Sequence, residues 1–368
     1  MKRILLIIML GVCGQLFSQI NDDVSNFKTD TINKGKNLRI IALPVVFTTP
    51  ETGFGFGGGA QFFLLNKSNE YNSRLSNILI SGIYTTNKQI MFEVNPQIYF
   101  NKGDYFLDAL YKLKVFPNLF WGIGNNTPDE NEEFYNMTSH VFKASFLKRL
   151  PPFLNFGFQF IFENHEITEI QEGGLLDQGD IPGSSGAIIV GLGATFNYDT
   201  RKNVADPQSG HFINLSAQFS SKNFGSTYNF NKYIADIREY IPLGKNSILA
   251  TQLYFESNYG VVPFQAEAWF GGGYRARGYY AGRFMDDYMY VLQAEYRLRF
   301  HTRWGLALFG LIGEVADQPE NLLQEIKPSI GGGIRYKITK DQNTLLRFGA
   351  GFGENGNSGI YFGVNQAF

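Results

Sequence analysis

Residues 270–280 read Phe-Gly-Gly-Gly-Tyr-Arg-Ala-Arg-Gly-Tyr-Tyr, setting four glycines and two arginines between two alternating segments. Glycine has no Cβ to hold other backbone away, and a guanidinium carries five donors in a rigid fork that carboxylates or carbonyls must satisfy. Two readings stay open from this segment alone: a Gly-rich surface loop with solvated charges, or a loop folded back so that an arginine meets a buried acid. Other residues able to do chemistry are sparse. His140, His165, His211 and His301 lie on different segments, none beside a serine in a recognisable motif and none at metal-ligand spacing. Each reads as a polar wall or turn residue, so no catalytic group, metal or cofactor is expected. Asp129, Glu130, Glu132 and Glu133 could attract a divalent cation but read as a solvated loop.

Composition narrows what could position that arginine. The 368 residues include 41 Gly, 35 Phe and 20 Tyr but one Cys, charged residues are 18%, and net charge is −1. A soluble domain averages about 25% charged residues, and a neutral balance offers no basic field for nucleic acid. Lys2 and Arg3, the apolar run Ile4–Leu10 and the Leu16-Phe17-Ser18 site predict a secretory signal over 1–19. Cys13 falls inside it, so the remaining chain has no thiol and no disulfide. No other segment reaches the roughly 18 apolar residues of a spanning helix, so a membrane form must be a closed sheet.

The required alternation recurs. In 288–300, Tyr290, Leu292, Ala294, Tyr296, Leu298 and Phe300 share one face while Gln293, Glu295, Arg297 and Arg299 share the other. In 188–199, Ile188, Val190, Leu192, Phe196 and Tyr198 oppose Gly191, Gly193, Thr195, Asn197 and Asp199. In 89–100, Ile90, Phe92, Val94, Ile98 and Phe100 oppose Gln89, Glu93, Asn95 and Gln97. Soluble sandwich strands are about five or six residues long, whereas about ten tilted residues cross a bilayer. Runs at 39–49, 53–65, 74–86, 88–100, 104–116, 134–149, 153–167, 185–199, 210–220, 227–241, 246–258, 288–300, 303–315, 328–340, 344–352 and 358–368 therefore predict an all-β transmembrane antiparallel barrel of about sixteen strands over 39–368. Residues 20–38 are polar and predict a short periplasmic tail. Short turns alternate with the long connections 117–133, 168–184, 259–287 and 316–327, which are predicted to be extracellular. Trp121, Trp269 and Trp304 are assigned to the aromatic girdles.

The chain resembles the bacterial surface antigen superfamily, which includes the outer-membrane β-barrel assembly factor and the two-partner-secretion transporters. Pro50-Glu51-Thr52-Gly53 with Gly55, Gly57 and Gly59 resembles its first hairpin. Tyr198-Asp199-Thr200-Arg201 with Pro207 and Gly210 resembles its aspartate-threonine-arginine turn, a turn that a purely structural role would also explain. Gly272 to Tyr279 resembles its loop motif, with Arg277, Gly278 and Tyr279 at the arginine-glycine-aromatic positions; Glu295-Tyr296-Arg297 follows, and Phe368 ends the chain as a C-terminal signal. The resemblance implies a long loop folded into the lumen with Arg277 held by Glu295. The family's second acid is replaced by Leu311 within Phe309-x-Leu311-x-Gly313, unless Glu314 substitutes.

Residues 20–38 are too short for a periplasmic polypeptide-transport domain, since domains run to about 50 residues or more. The expected protein is a short, barrel-only relative in the outer membrane of a Gram-negative bacterium, in contact with lipid and lipopolysaccharide and able to self-associate. Pro44 lacks an N–H in the first strand and Gly356, Gly359 and Gly363 lie near the last, which suits either a weak seam or simple lumen-facing small residues. Two functions follow: a non-enzymatic barrel that assists insertion or translocation of envelope proteins or lipids with separate envelope-assembly partners, or a passive small-conductance pore or structural barrel plugged by its loop.

Overall fold

In the computed structural model, the described residues are 38–49, 53–64, 76–86, 88–150, 152–204, 206–337 and 345–368. The signal region expected over 1–19 and the tail expected over 20–38 lie outside them except for Leu38, which opens the first strand. Eleven strands come first: β1 (Leu38–Thr49), β2 (Gly53–Leu64), β3 (Ser76–Thr85), β4 (Ile90–Phe100), β5 (Tyr105–Phe120), β6 (Glu133–Leu150), β7 (Leu154–Ile170), β8 (Ala187–Asp199), β9 (Gly210–Ser220), β10 (Phe230–Pro242) and β11 (Ser247–Gly260). A small hairpin of β12 (Ala268–Phe270) and β13 (Phe284–Asp286) interrupts the series, which resumes with β14 (Tyr288–Arg299), β15 (Trp304–Ala316), β16 (Lys327–Lys337), β17 (Leu345–Gly353) and β18 (Ser358–Val364). All but β12 and β13 join one 16-stranded antiparallel sheet in sequence order. It curls into a barrel around the residue 261–287 segment.

Period-two alternation explains which side is which. On β14, Leu292 and Tyr296 are 47% and 37% exposed, whereas Gln293, Glu295 and Arg297 are buried. On β4 the outward Ile90 and Phe100 alternate with buried Glu93, Asn95 and Gln97. Lipid faces the first set and the lumen the second. Pro96 cannot donate to β5, and the β4–β5 ladder skips there. The Asn95 amide fills the gap by donating to Ala109 O at 2.6 Å.

Two boundaries depart from the sequence expectation. β5, β6 and β7 run to 16, 18 and 17 residues and project past their neighbours at the end carrying the long connections. β18 stops at Val364 instead of continuing to 368, because Asn365 adopts a left-handed φ of 59° that turns the chain inward. Among the described residues no ladder joins β1 to β18. Pro44 sits in β1 opposite Gly58; its side chain lies outside the described set.

Candidate functional site

The segment between β11 and β14 is built to descend into the lumen. Its β12–β13 ladder closes the upper part, and Gly271 at the throat has φ 118°, where an added Cβ would lie 1.8 Å from Tyr280 O. Only glycine fits there. Gly272 N–H then donates to Tyr279 O at 3.0 Å, so residues 273–278 form a closed tip.

At the tip, Arg277 is 3% exposed and Glu295 is fully buried. Arg277 Nη1 donates to Glu295 Oε2 at 2.5 Å, and its guanidinium stacks 3.6 Å above the Phe309 ring. Such a charge-assisted pair is strong only because both partners are shielded from water. Arg277 Nη2 donates instead to Gln293 Oε1 at 3.2 Å. Gln293 in turn donates to Gln252 Oε1 at 2.6 Å, and Gln252 to Asp236 Oδ1 at 2.7 Å. A second carboxylate thus reaches Arg277 through two amides. Gln252 and Gln293 are directly paired across β11 and β14, both on lumen-facing positions, and that shared parity was the signal available in the sequence.

Leu311 occupies the position of the missing acid and packs into an apolar cluster with Ala276, Tyr279 and Phe270. Glu314 does not substitute for it. Its carboxylate accepts from the backbone N–H groups of Leu323 and Glu325, tying down the β15–β16 connection. Glu295 meanwhile also accepts from Arg297 at 2.8 Å and Arg335 at 3.2 Å, so one carboxylate holds three guanidinium groups. Arg347, stacked 4.4 Å over Tyr274, adds a fourth buried cation nearby.

Glycines on β16 and β17 make the seat. A Cβ on Gly331 would lie 2.3 Å from the Phe309 ring, one on Gly351 2.9 Å from Gly278 N, and one on Gly353 2.5 Å from the Tyr279 ring. Gly278, at φ 110°, donates its N–H to the Tyr361 hydroxyl of β18 at 2.6 Å. Tyr279 donates to Pro328 O at 2.8 Å and accepts from Glu354 N–H at 3.1 Å. Arg277, Gly278, Tyr279 and Glu295 are therefore brought together on the β14–β18 wall.

A second anchor escaped the sequence reading. Arg283 is 5% exposed and donates to Thr127 Oγ1, Thr127 O and Asp129 Oδ1 at 2.7, 2.8 and 2.6 Å. Asp129, expected as a solvated loop acid, is its partner. Trp121 is 4% exposed and lies 5.0 Å from this guanidinium, and Trp269 donates to Phe264 O. Both pack the lumen loop and not the membrane girdle; Trp304, tilted against the Tyr336 ring, is outward and 41% exposed.

Asp199 and Arg201 stand apart from this site. They form a bidentate pair at 2.9 Å on the β8–β9 turn, with Arg201 also 4.2 Å over Phe212. Phe368 leaves the sheet with the turn at Asn365 and is 4% exposed inside the lumen, against Tyr240 and Ala250. Its carbonyl oxygen accepts from Arg297 at 2.8 Å, and Gln366 joins Arg335 to Asp206. Phe368 braces the base of the arginine cluster.

His165 does lie beside a serine: Ser139 Oγ is 2.9 Å from its Nδ1, and Glu163 Oε2 is 2.8 Å from its Nε2. The three side chains face the lumen from paired positions on β6 and β7. Ser139 is flanked by ladders to β5 and β7, which leave no pair of free N–H groups to receive an oxyanion, and Glu163 is also bound to Lys143 at 2.8 Å. The relay is a wall hydrogen-bond network. Among the described residues no three His, Cys, Asp or Glu side chains group as a metal cluster.

Residues 56–368 match the model of the Omp85 superfamily domain. Among solved structures, BamA from Haemophilus ducreyi lacking POTRA domains 1–3 is similar at 12% identity and a TM-score of 0.62, covering 90% of this chain and 70% of that one. CdiB from Escherichia coli is similar at 10% identity and a TM-score of 0.59, covering 89% of this chain and 62% of that one. CdiB from Acinetobacter baumannii is similar at 14% identity and 0.56, covering 90% and 60%. The chain thus spans less than two thirds of either CdiB, and identities this low support the fold alone. No curated protein matches the chain.

Proposed function

The chain belongs to the Omp85 superfamily, and from that premise we propose that it is a non-enzymatic outer-membrane barrel assisting the insertion or translocation of envelope proteins or lipids. Separate partner proteins supply the periplasmic handling of the client, and the outward apolar and aromatic belt meets lipid and lipopolysaccharide.

The observation that carries this reading is the mismatch at the seam. β1 has 12 residues and β18 seven, and the chain abandons the sheet at Asn365 while β1 continues. An edge with unpaired backbone groups is a template for another strand. Glycines at 359 and 363 do not by themselves argue for a gate, because each clears room for a neighbour: Tyr361 in one case and Arg347 in the other. Cysteine pairs placed between residues 40–46 and 360–366 test the seam. Oxidised protein should lose its assembly activity in depleted cells and recover it on reduction; full activity in the locked form overturns the reading. Co-purification with proteins bearing periplasmic transport domains is the accompanying expectation.

A second reading, a passive pore, is favoured by one observation. Cavities of about 450 and 730 Å³ lie along the β4–β10 side of the lumen beside the seated loop. Planar-bilayer recordings and depletion separate the two: a barrel plugged by its loop passes small, unstable currents that grow when residues 271–287 are deleted, whereas an assembly barrel on depletion produces envelope-protein defects without new permeability.

A further inference from the structure

Where the lumen loop leaves and rejoins the barrel, three buried acceptor oxygens lack donors. The β12–β13 ladder pairs Ala268 with Asp286, so one step outward Glu267 lies across from Asp287, close enough for the two carboxyl groups to feel each other's charge. Asn258, near the end of β11, is pressed against the same point. Its backbone N–H and its Nδ2 both donate to Asp287 O, at 2.8 and 3.2 Å. That fixes the amide orientation and leaves Asn258 Oδ1 without a donor on a residue 1% exposed. Glu267 Oε2, on a residue 8% exposed, and Asp287 Oδ1 are buried and equally without a donor.

Buried acceptors in this state call for an occupant. The nearby cations are already engaged, Lys232 with Glu256 and Arg283 with Asp129, both at 2.6 Å. Asp286 and Asp317 add negative charge. Carboxylate and amide oxygens, without sulfur or imidazole, suit a hard cation, and their irregular supply from three chain segments suits Ca²⁺, which accepts water to complete its shell, better than octahedral Mg²⁺. We propose that Glu267, Asp287 and Asn258 form a Ca²⁺-class divalent cation site that fastens both ends of the lumen loop to β11. This site is independent of what the barrel transports.

The rival occupant is a proton. Burial, then the Asp287 and Asp286 carboxylates, push the Glu267 carboxyl up to about 9. A shared proton is held more tightly in the folded state, so its stabilisation is lost as pH rises toward that value; cation binding instead strengthens as the carboxylates ionise.

The full chain, purified in detergent micelles and stripped with chelator, is titrated with CaCl₂ by calorimetry. Tb³⁺ luminescence, sensitised by the adjoining Tyr259 and Tyr288, gives a second readout. One ion per chain and a melting midpoint that rises with CaCl₂ are expected. Glu267→Gln combined with Asp287→Asn should weaken binding about tenfold or more while keeping the heat-modifiable gel shift of a folded barrel. If that variant does not fold, Asn258→Asp provides the opposite test and should bind more tightly. The proposal is overturned by wild-type protein with no saturable binding, by unchanged affinity in the variants, or by a midpoint that ignores CaCl₂ and falls steadily from about pH 5 to 9.

Discussion

On the β14–β18 side of the lumen, Gly331, Gly351 and Gly353 clear a seat that Phe309, Gly278 and Tyr279 fill; on the β2–β9 side, much of the wall is satisfied strand to strand. There Gln61 donates to Asn77 at 2.7 Å and Asn77 to Gln97 at 3.3 Å, strand to adjacent strand. Lys112 pairs with Glu93 and Lys143 with Glu163 across neighbouring strands as well. The first wall needs the distant segment to fill its seat, whereas the second meets that segment at its upper rim, where Phe120 and Tyr135 pack on Phe264 and Met285, and pairs strand to strand below. A barrel can therefore keep open space along one side while its other side is packed like a soluble core.

The contrast breaks most severely at Glu295. Glu295→Ala leaves Arg277, Arg297 and Arg335 buried without their shared anion, and the loss should reach about 3–5 kcal/mol, read as a lower denaturant midpoint in micelles. Arg277→Ala should cost less, about 2–3 kcal/mol, because Glu295 keeps two other guanidinium partners; equal costs would show that the loop alone stabilises this wall. Gly278→Ala meets Ser329 Oγ at 2.4 Å with φ at 110°, and about 1–3 kcal/mol is expected. At the small end, Lys112→Ala removes a pair whose lysine is 40% exposed and should change stability by less than about 1 kcal/mol while altering the ion selectivity of any current. A large loss there would erase the distinction between the walls.

How much of this could be read from sequence depends on the range of the interaction. Strand count and facing followed from local alternation, as in β14, where parity alone put Glu295 inside. The Arg277 to Glu295 pair needed the family resemblance, since nothing local says which lumen acid a loop arginine will meet. The Arg283 anchor is 154 residues from Asp129 in sequence, and no periodic pattern links a loop arginine to an acid in another loop. Ser139 and His165 became neighbours only when the β6–β7 register was fixed, and a bulge near Asn136 shifts that register. The end of the last strand differs for a similar reason: one left-handed residue, Asn365, decides whether the last four residues extend the sheet or enter the lumen.

The seat also sets an order of events. Gly278 hydrogen-bonds to Tyr361, 83 residues later, and Tyr279 to the Glu354 N–H, 75 residues later. Neither partner is in place until β16, β17 and β18 have paired, so the seat for Gly278 and Tyr279 stays incomplete through most of barrel closure, although Glu295, 18 residues from Arg277, is at hand earlier. The tip then works as a completion check. Only a sheet assembled to its final strand in the correct register can seat it in full, and a chain stalled earlier displays a loose, protease-sensitive loop that marks it as unfinished.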